Sequence, residues 1–159
     1  MVFTRNNILK GAVIYSTGDT IAALIMGEFS WFRLLGIVLV GATFYAYEIP
    51  NYFIWIDQQT EKLSGLKMSF YKTTLAILYF NPLWIARHLF FIMLFSGKIH
   101  EASWDILRIG LMSFLVNIPI SFTANYLIQN KMPGHWRFMA SAIFSALMAI
   151  YYALSMVIF

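Results

Sequence analysis

The sequence contains no cysteine, and only 11% of its 159 residues are charged. The lack of cysteine excludes disulfides, thiolate metal sites and cysteine nucleophiles. The scarcity of charge argues against a water-soluble domain, because about a quarter of the residues in such a domain are charged. Basic runs interleaved with aromatic residues are also missing, so we expect no nucleic-acid partner. The length indicates a single domain, residues 1–159.

Apolar residues are abundant, at 60% of the chain with a mean hydropathy of +0.71. Five apolar segments each have about the 20 residues that a membrane-crossing helix needs. They are residues 8–26, 34–56, 73–95, 105–128 and 138–159. The sequence therefore predicts an all-α fold, a polytopic membrane helix bundle of about five hydrophobic helices with four to five spans. The charged first turns of the fourth segment leave open that this part lies along the interface.

The first apolar segment follows basic residues, as a signal peptide does. Asp19 interrupts it, however, and no small-residue cleavage site follows, so we expect a retained span. The basic residues predict its orientation, because they concentrate on the inner side of a membrane. Seven lie on the N-terminal side (Arg5, Lys10, Lys62, Lys67, Lys72, Lys131 and Arg137), against three on the other (Arg33, Lys98 and Arg108). The N-terminus is therefore predicted to lie inside.

Polar side chains recur within the first four segments, where lipid cannot satisfy them. Three prolines add to this, because proline removes a backbone donor and kinks or breaks a helix; they are Pro50, Pro82 and Pro119. The candidates for a solute site or pathway are Asp19, Glu48, Asn51, Asn81, Arg87, His88, Asn117 and Asn125. Their convergence from four segments predicts a polar site inside the bundle.

Arg87 is the residue that lipid tolerates least, so we expect it to pair with Glu48 or Asp19. The pair is either a structural link between helices or part of a solute pathway, and both interpretations are open. His88 is either a hydrogen-bonded packing residue or a proton relay, since histidine titrates near neutral pH. The asparagines either join helices or contact the solute. In the fifth segment, the small residues Ala142, Ala146, Ala149 and Ala153 predict close helix packing and a scaffold role.

Patterns of catalytic residues are missing from the sequence. It has no nucleophile elbow, no pair of histidines one helical turn apart and no glycine-rich phosphate loop. We therefore expect no enzymatic activity, no cofactor and no metal site. The expected partners are membrane lipids, a small-molecule solute, and either further copies of the chain in a homo-oligomer or another membrane protein.

Several short motifs follow one another in a suggestive order. They are Gly18-Asp19, Trp31-Phe32-Arg33, Pro50 with Trp55, Phe80-Asn81-Pro82, Pro119 with Asn125-Tyr126, and Pro133 with Arg137. This order resembles the Mpv-seventeen family of small mitochondrial inner-membrane and peroxisomal membrane proteins. The chain departs from the family where Ile49 replaces a glycine and Ile118 replaces a tryptophan.

The resemblance implies a small pore-forming or solute-conducting protein in an organelle membrane. Its characteristic positions here would be Asp19, Pro50, Trp55, Pro82, Pro119, Asn125 and Arg137. A weaker similarity, in Asp19-Thr20-Ile21-Ala22, points to the bacterial L-alanine exporters and hence to a bacterial cytoplasmic membrane.

The sequence thus favours an integral membrane channel or transporter for small polar, anionic or zwitterionic solutes. Two alternatives are open: a small amino-acid exporter of the alanine type, and a non-catalytic accessory or structural subunit that docks another membrane protein.

Overall fold

The computed structural model describes the backbone of residues 2–158 and the side chains of residues 2–148, 150 and 151. The helices in that range are α1 (Arg5–Ile25), α2 (Trp31–Val40), α3 (Ala46–Gln59), α4 (Gly65–Tyr79), α5 (Pro82–Phe95), α6 (Asp105–Lys131) and α7 (Gly134–Ile158). A π-helical turn, Gly41–Tyr45, joins α2 to α3, and a 3-10 turn, Ile99–Glu101, precedes α6. Residues 2–158 contain no strand. The prediction of an all-α fold is confirmed.

Four helical segments are long and apolar enough to cross a membrane: α1, α2 with α3 (Trp31–Gln59), α4 with α5 (Gly65–Phe95), and α6. They correspond to the first four predicted segments, so the chain is an integral membrane protein built as a helical bundle. Helix α7 covers the fifth predicted segment as far as Ile158, and Phe159 lies outside the described residues. The orientation with the N-terminus inside stays a prediction from the basic residues.

The third segment begins earlier than predicted. We expected it to begin at residue 73, but α4 begins at Gly65, which leaves a link of only residues 60–64. Lys67 and Lys72 lower the hydropathy of these turns without opposing a helix, since lysine is a good helix former and its long side chain reaches the interface. Lys72 also finds an acid there, because its Nζ lies 2.6 Å from Asp57 Oδ1.

Only one of the three prolines breaks its helix. Helices α3 and α6 continue through Pro50 and Pro119, so of the two predicted effects the break does not occur there, and the kink stays a prediction. A lipid-embedded helix keeps its remaining hydrogen bonds, because lipid offers no replacement for them. Pro82, by contrast, occupies the first position of α5, where its missing N–H is not needed.

Asn81 explains why the break occurs at Pro82. Its Nδ2 donates to the carbonyl of Leu78 at 2.9 Å, and its Oδ1 accepts from the backbone N–H groups of Leu83 and Trp84. The end of α4 and the beginning of α5 are thus both satisfied by one side chain. The residues before Pro50 and Pro119 are isoleucines, which cannot do this.

Helix α1 packs closely on two neighbours. A Cβ atom added to either Gly11 or Gly41 would overlap the backbone carbonyl of the other, and one added to Gly18 would overlap Ala146. Small residues allow helices to approach this closely in a membrane. Ala142 and Ala146 thus behave as the small-residue stripe predicts, whereas the side chains of Ala149 and Ala153 lie outside the described residues.

Candidate functional site

An ion pair between α3 and α5 forms the centre of the candidate site. Arg87 Nη1 and Nη2 donate to Glu48 Oε1 and Oε2 at 2.9 and 2.7 Å. The Tyr79 hydroxyl donates to Oε2 of the same carboxylate at 2.9 Å. This two-pronged geometry is the strongest form of an arginine–carboxylate contact. Of the two predicted partners of Arg87, Glu48 is confirmed.

The three side chains come together because of the break between α4 and α5. Tyr79 is the last residue of α4, and Arg87 follows in the second turn of α5, so both face Glu48 near the middle of the second span. They line a cleft of about 460 Å³, whose other lining residues are Tyr52, Leu78, Asn81, Leu83 and Trp84. The side chains of Arg87 and Glu48 remain 35% and 29% exposed. The ion pair is therefore accessible from the cleft.

The cleft opens on the outer surface of the bundle. Leu78 and Leu83 at its rim are 54% and 68% exposed. On the inner side of the pair, the guanidinium carbon of Arg87 lies 5.8 Å from the centre of the Tyr45 ring, close enough for a cation–π contact. The cleft thus has an apolar rim, an ion pair inside it and an aromatic floor.

The chemistry of this arrangement suits a small charged solute. A carboxylate or phosphate can compete with Glu48 for the planar donors of Arg87. A zwitterion can divide itself between the two, with its anionic group on Arg87 and its cationic group on Glu48. The zwitterion keeps both protein charges paired, whereas an anion alone leaves Glu48 with only the Tyr79 hydroxyl among the described residues. Because an isolated charge in the membrane is costly, the arrangement favours the zwitterion.

His88 lies behind the cleft. It is buried, its Nδ1 lies 2.9 Å from the Tyr45 hydroxyl, and its ring stacks on Trp84 with centroids 5.6 Å apart. Tyr45 in turn packs against Tyr15, with ring centroids 4.6 Å apart. This aromatic cluster belongs to the buried core of the bundle.

Asn51 holds the N-terminal segment. Its Oδ1 accepts from the N–H of Val2 at 2.7 Å, and its Nδ2 donates to the Val2 and Tyr47 carbonyls. These contacts engage both the oxygen and the nitrogen of the side-chain amide. Asn51 therefore links two parts of the backbone and does not line the cleft.

Asn117 and Asn125 are buried on α6, away from Arg87. Asn117 Nδ2 donates to Ser121 Oγ at 2.8 Å and contacts Met148 Sδ at 3.0 Å. Asn125 Nδ2 donates to the Ser121 carbonyl at 2.9 Å. Of the predicted candidates, the structure therefore gathers Glu48, Asn81 and Arg87 in the cleft and leaves these two asparagines elsewhere. The three come from the second and third segments only, so the predicted convergence of four segments on one site is wrong.

Asp19 belongs to a different ion pair, which the sequence analysis missed. Arg33 Nε and Nη2 donate to its two carboxylate oxygens at 2.8 and 2.7 Å, and both side chains are only 2% exposed. Glu28 lies 3.8 Å from Arg33 and forms a second pair with Lys98 at 2.6 Å. Asp19 and Arg33 lie seven residues to either side of Met26, next to the turn between α1 and α2. In an antiparallel helix pair such equal spacing places residues face to face, and this signal was available in the sequence.

A second ionic cluster lies at the other end of the bundle. Asp57 near the end of α3 accepts from Lys72 of α4 at 2.6 Å and from Arg137 of α7 at 2.7 Å. The Asp19–Arg33 and Asp57 clusters thus lie at opposite ends of the second span, with the Glu48–Arg87 pair between them.

No group of three or more histidine, aspartate or glutamate residues within the described part of the chain is placed to hold a metal ion. No protein-family model, curated protein or solved structure matches the chain. Its function is therefore inferred from the fold and the cleft.

Proposed function

We propose that the chain is a membrane transporter or channel for small anionic or zwitterionic solutes, and that the Glu48–Arg87 cleft is its solute site. The observation that carries this proposal is an ion pair near the middle of a membrane span that stays one-third exposed in an open cleft. The Asp19–Arg33 pair, by contrast, is sealed from its surroundings, so a solute cannot reach it. Charges kept accessible inside a membrane commonly mark a solute pathway.

The break between α4 and α5 supports the same function. Discontinuous helices near the bilayer midplane are typical of transporter binding sites, because their free ends and their hinges serve the solute. Here the break carries Tyr79 on one side and Arg87 on the other, both in contact with Glu48. A movement of α5 relative to α4 would therefore alter the ion pair directly.

Two more specific assignments are part of the proposal. The resemblance to the Mpv-seventeen family favours a solute-conducting protein, and the proline-containing motif at Asn81-Pro82 lies at the cleft. The similarity to alanine exporters favours a zwitterionic amino acid, whose carboxylate would bind Arg87 and whose ammonium would bind Glu48. The aromatic cluster closes the middle of a single chain, so conduction needs either its movement or a homo-oligomer.

Solute flux into vesicles tests the proposal. The full chain is reconstituted in lipid vesicles, and uptake of acetate, phosphate, glycine and alanine is compared with uptake by protein-free vesicles. We expect flux of at least one of these solutes, and an Arg87→Gln variant to reduce it by about tenfold or more, roughly 1.4 kcal/mol in the barrier.

Lys67→Gln provides the matched control, because it also removes one positive charge but lies on an exposed turn of α4. It should retain the flux of the unmodified chain. Flux of none of the four solutes, or equal losses in both variants, would contradict the proposal.

A second candidate function is favoured by the direction in which the cleft opens. The exposed leucines at its rim and the one-third exposed ion pair could also contact a helix of another membrane protein. This chain would then be an accessory subunit of that protein. Purification of the chain in mild detergent with a stoichiometric partner, lost in the Arg87→Gln variant, would support this alternative.

A further inference from the structure

A second, much smaller cavity lies on the other side of Trp84. It is about 10 Å³ in volume and is enclosed by α5, α6 and α7. Its lining residues are Phe80, Trp84, Ser121, Asn125, Phe144, Ser145 and Met148. Trp84 also lines the Glu48–Arg87 cleft, so its indole ring borders both spaces. At this volume the cavity is close to the minimum that holds one water molecule.

Two of the residues that line this cavity carry an unpartnered polar atom. Trp84 Nε1 and Asn125 Oδ1 are buried and have no hydrogen-bond partner among the described residues. One is a donor and the other an acceptor, and both side chains line the cavity. One helical turn beyond Asn125, Gln129 is fully buried, and neither end of its amide has a partner in the same part of the chain.

Such atoms are costly in a membrane protein. A buried donor or acceptor without a partner costs about 1–3 kcal/mol, and most such groups in folded proteins are satisfied by protein or ordered water. A water in the cavity would accept from Trp84 Nε1 and donate to Asn125 Oδ1, and the Ser121 and Ser145 hydroxyls lie in the same lining. The number and type of these groups match what an internal water requires.

We propose that this cavity is a hydrated inner compartment of the solute path, and that the Trp84 ring is the partition between it and the cleft. This inference rests on the proposed function, because it extends the same site. A solute released from Arg87 would pass Trp84 and meet the amide of Asn125, which can bind neutral polar groups. In the structure the ring is stacked on His88, which holds the partition closed.

The absence of cysteine makes this partition testable by single-cysteine labelling. Ser145→Cys places a thiol in the lining of the cavity, and a methanethiosulfonate reacts only with a hydrated thiolate. We use the charged 2-sulfonatoethyl methanethiosulfonate on the full chain in vesicles and compare Ser145→Cys combined with either Trp84→Ala or Trp84→Phe. Phenylalanine keeps an aromatic ring at the partition, whereas alanine removes it.

We expect the cysteine to react about tenfold faster in the Trp84→Ala background than in the Trp84→Phe background, because only the former lets the reagent reach the thiol. Glu101→Cys, in the exposed loop after α5, is the control and should react equally in both backgrounds. Equal rates for Ser145→Cys in the two backgrounds would contradict the proposal that the Trp84 ring separates the cavity from the cleft.

Hydration is tested without a cavity-forming variant. In the full chain labelled with ¹⁵N-tryptophan, the Trp84 indole signal is identified by its loss in Trp84→Phe. We expect a cross peak between this indole proton and water, and its loss in Asn125→Leu. A signal without any water contact would show that the cavity is dry and would overturn the proposal. Absence of vesicle flux would instead remove the proposed function while leaving the labelling and the water contact as they are.

Discussion

At the scale of single residues, two arginine–carboxylate pairs differ chiefly in exposure. Arg33 and Asp19 are sealed from their surroundings, whereas Arg87 and Glu48 share a cleft. A sealed pair keeps its full electrostatic attraction but cannot exchange partners with a solute. We therefore propose a stabilising role for Asp19–Arg33 and a solute-binding role for Glu48–Arg87.

The sealed pair predicts a large loss of stability in Asp19→Asn. The substitution keeps the shape of the side chain but removes the bidentate partner of the buried Arg33 charge, which then has only Glu28, 3.8 Å away, in the described part of the chain. Removing one partner of a buried pair costs about 3–5 kcal/mol. We expect a clear decrease in the midpoint of thermal unfolding in detergent.

Glu101→Gln is the matched control for that measurement. It makes the same change from acid to amide, but the Glu101 side chain is 54% exposed in the loop after α5. Its unfolding midpoint should stay close to that of the unmodified chain. An Asp19→Asn variant as stable as Glu101→Gln would show that the sealed pair contributes nothing.

The sequence predicted the charged residues of the cleft better than the sealed pair. Arg87 lies within an apolar run, so its need for an acid was visible, and Glu48 was one of two candidates. Arg33 follows a polar link and a tryptophan, the usual setting of an interfacial residue, and so was placed outside the membrane. The antiparallel arrangement of α1 and α2 turns it inward, which the equal spacing of Asp19 and Arg33 from Met26 indicates but hydropathy does not.

At the scale of helices, hydropathy predicted the segments because a bilayer sets their length. It did not predict their ends, since lysine-containing turns such as the first turns of α4 remain helical beyond the apolar region. Hydropathy also did not distinguish Pro82, where the helix breaks, from Pro50 and Pro119, where it continues. The difference between Asn81-Pro82 and the isoleucine–proline pairs lies in hydrogen bonds that a hydropathy profile does not represent.

Glycine ends two of these helices at the same side of the bundle. Gly27 after α1 has a φ of +69°, and Glu28 N–H donates to the carbonyl of Ala23 at 2.8 Å. Gly97 after α5 repeats this arrangement, with φ +73° and a bond from Lys98 N–H to the carbonyl of Met93. These are the contacts of a glycine-terminated helix end, and they position Glu28 and Lys98 for their ion pair.

We expect Gly27→Ala to lower stability by about 1–2 kcal/mol, because a Cβ atom disfavours the left-handed conformation. Nothing lies within 4 Å of the position a Cβ would take there, so the loss reports the backbone alone. Gly134→Ala is the control, since its surroundings are equally open and its φ is not positive. The measurement is the unfolding midpoint of the two variants, and equal values would contradict this account of the turn.

At the scale of the whole molecule, ion pairs connect the helices near both ends of the bundle, and the cleft lies between them. Asp19, Arg33, Glu28 and Lys98 connect α1, α2 and the loop after α5, while Asp57 connects α3, α4 and α7. The cleft lies between these clusters, beside the break in the third span.

The selectivity of flux tests the central claim most directly, namely that the Glu48–Arg87 pair contacts the solute. The measurement is the ratio of acetate to methylammonium flux in vesicles containing the unmodified chain, Glu48→Gln or Arg87→Gln. Glu48→Gln leaves Arg87 unopposed and should raise the ratio, whereas Arg87→Gln should lower it, each by about tenfold. A ratio that stays the same in both variants, or that shifts in the same direction in both, would contradict the account.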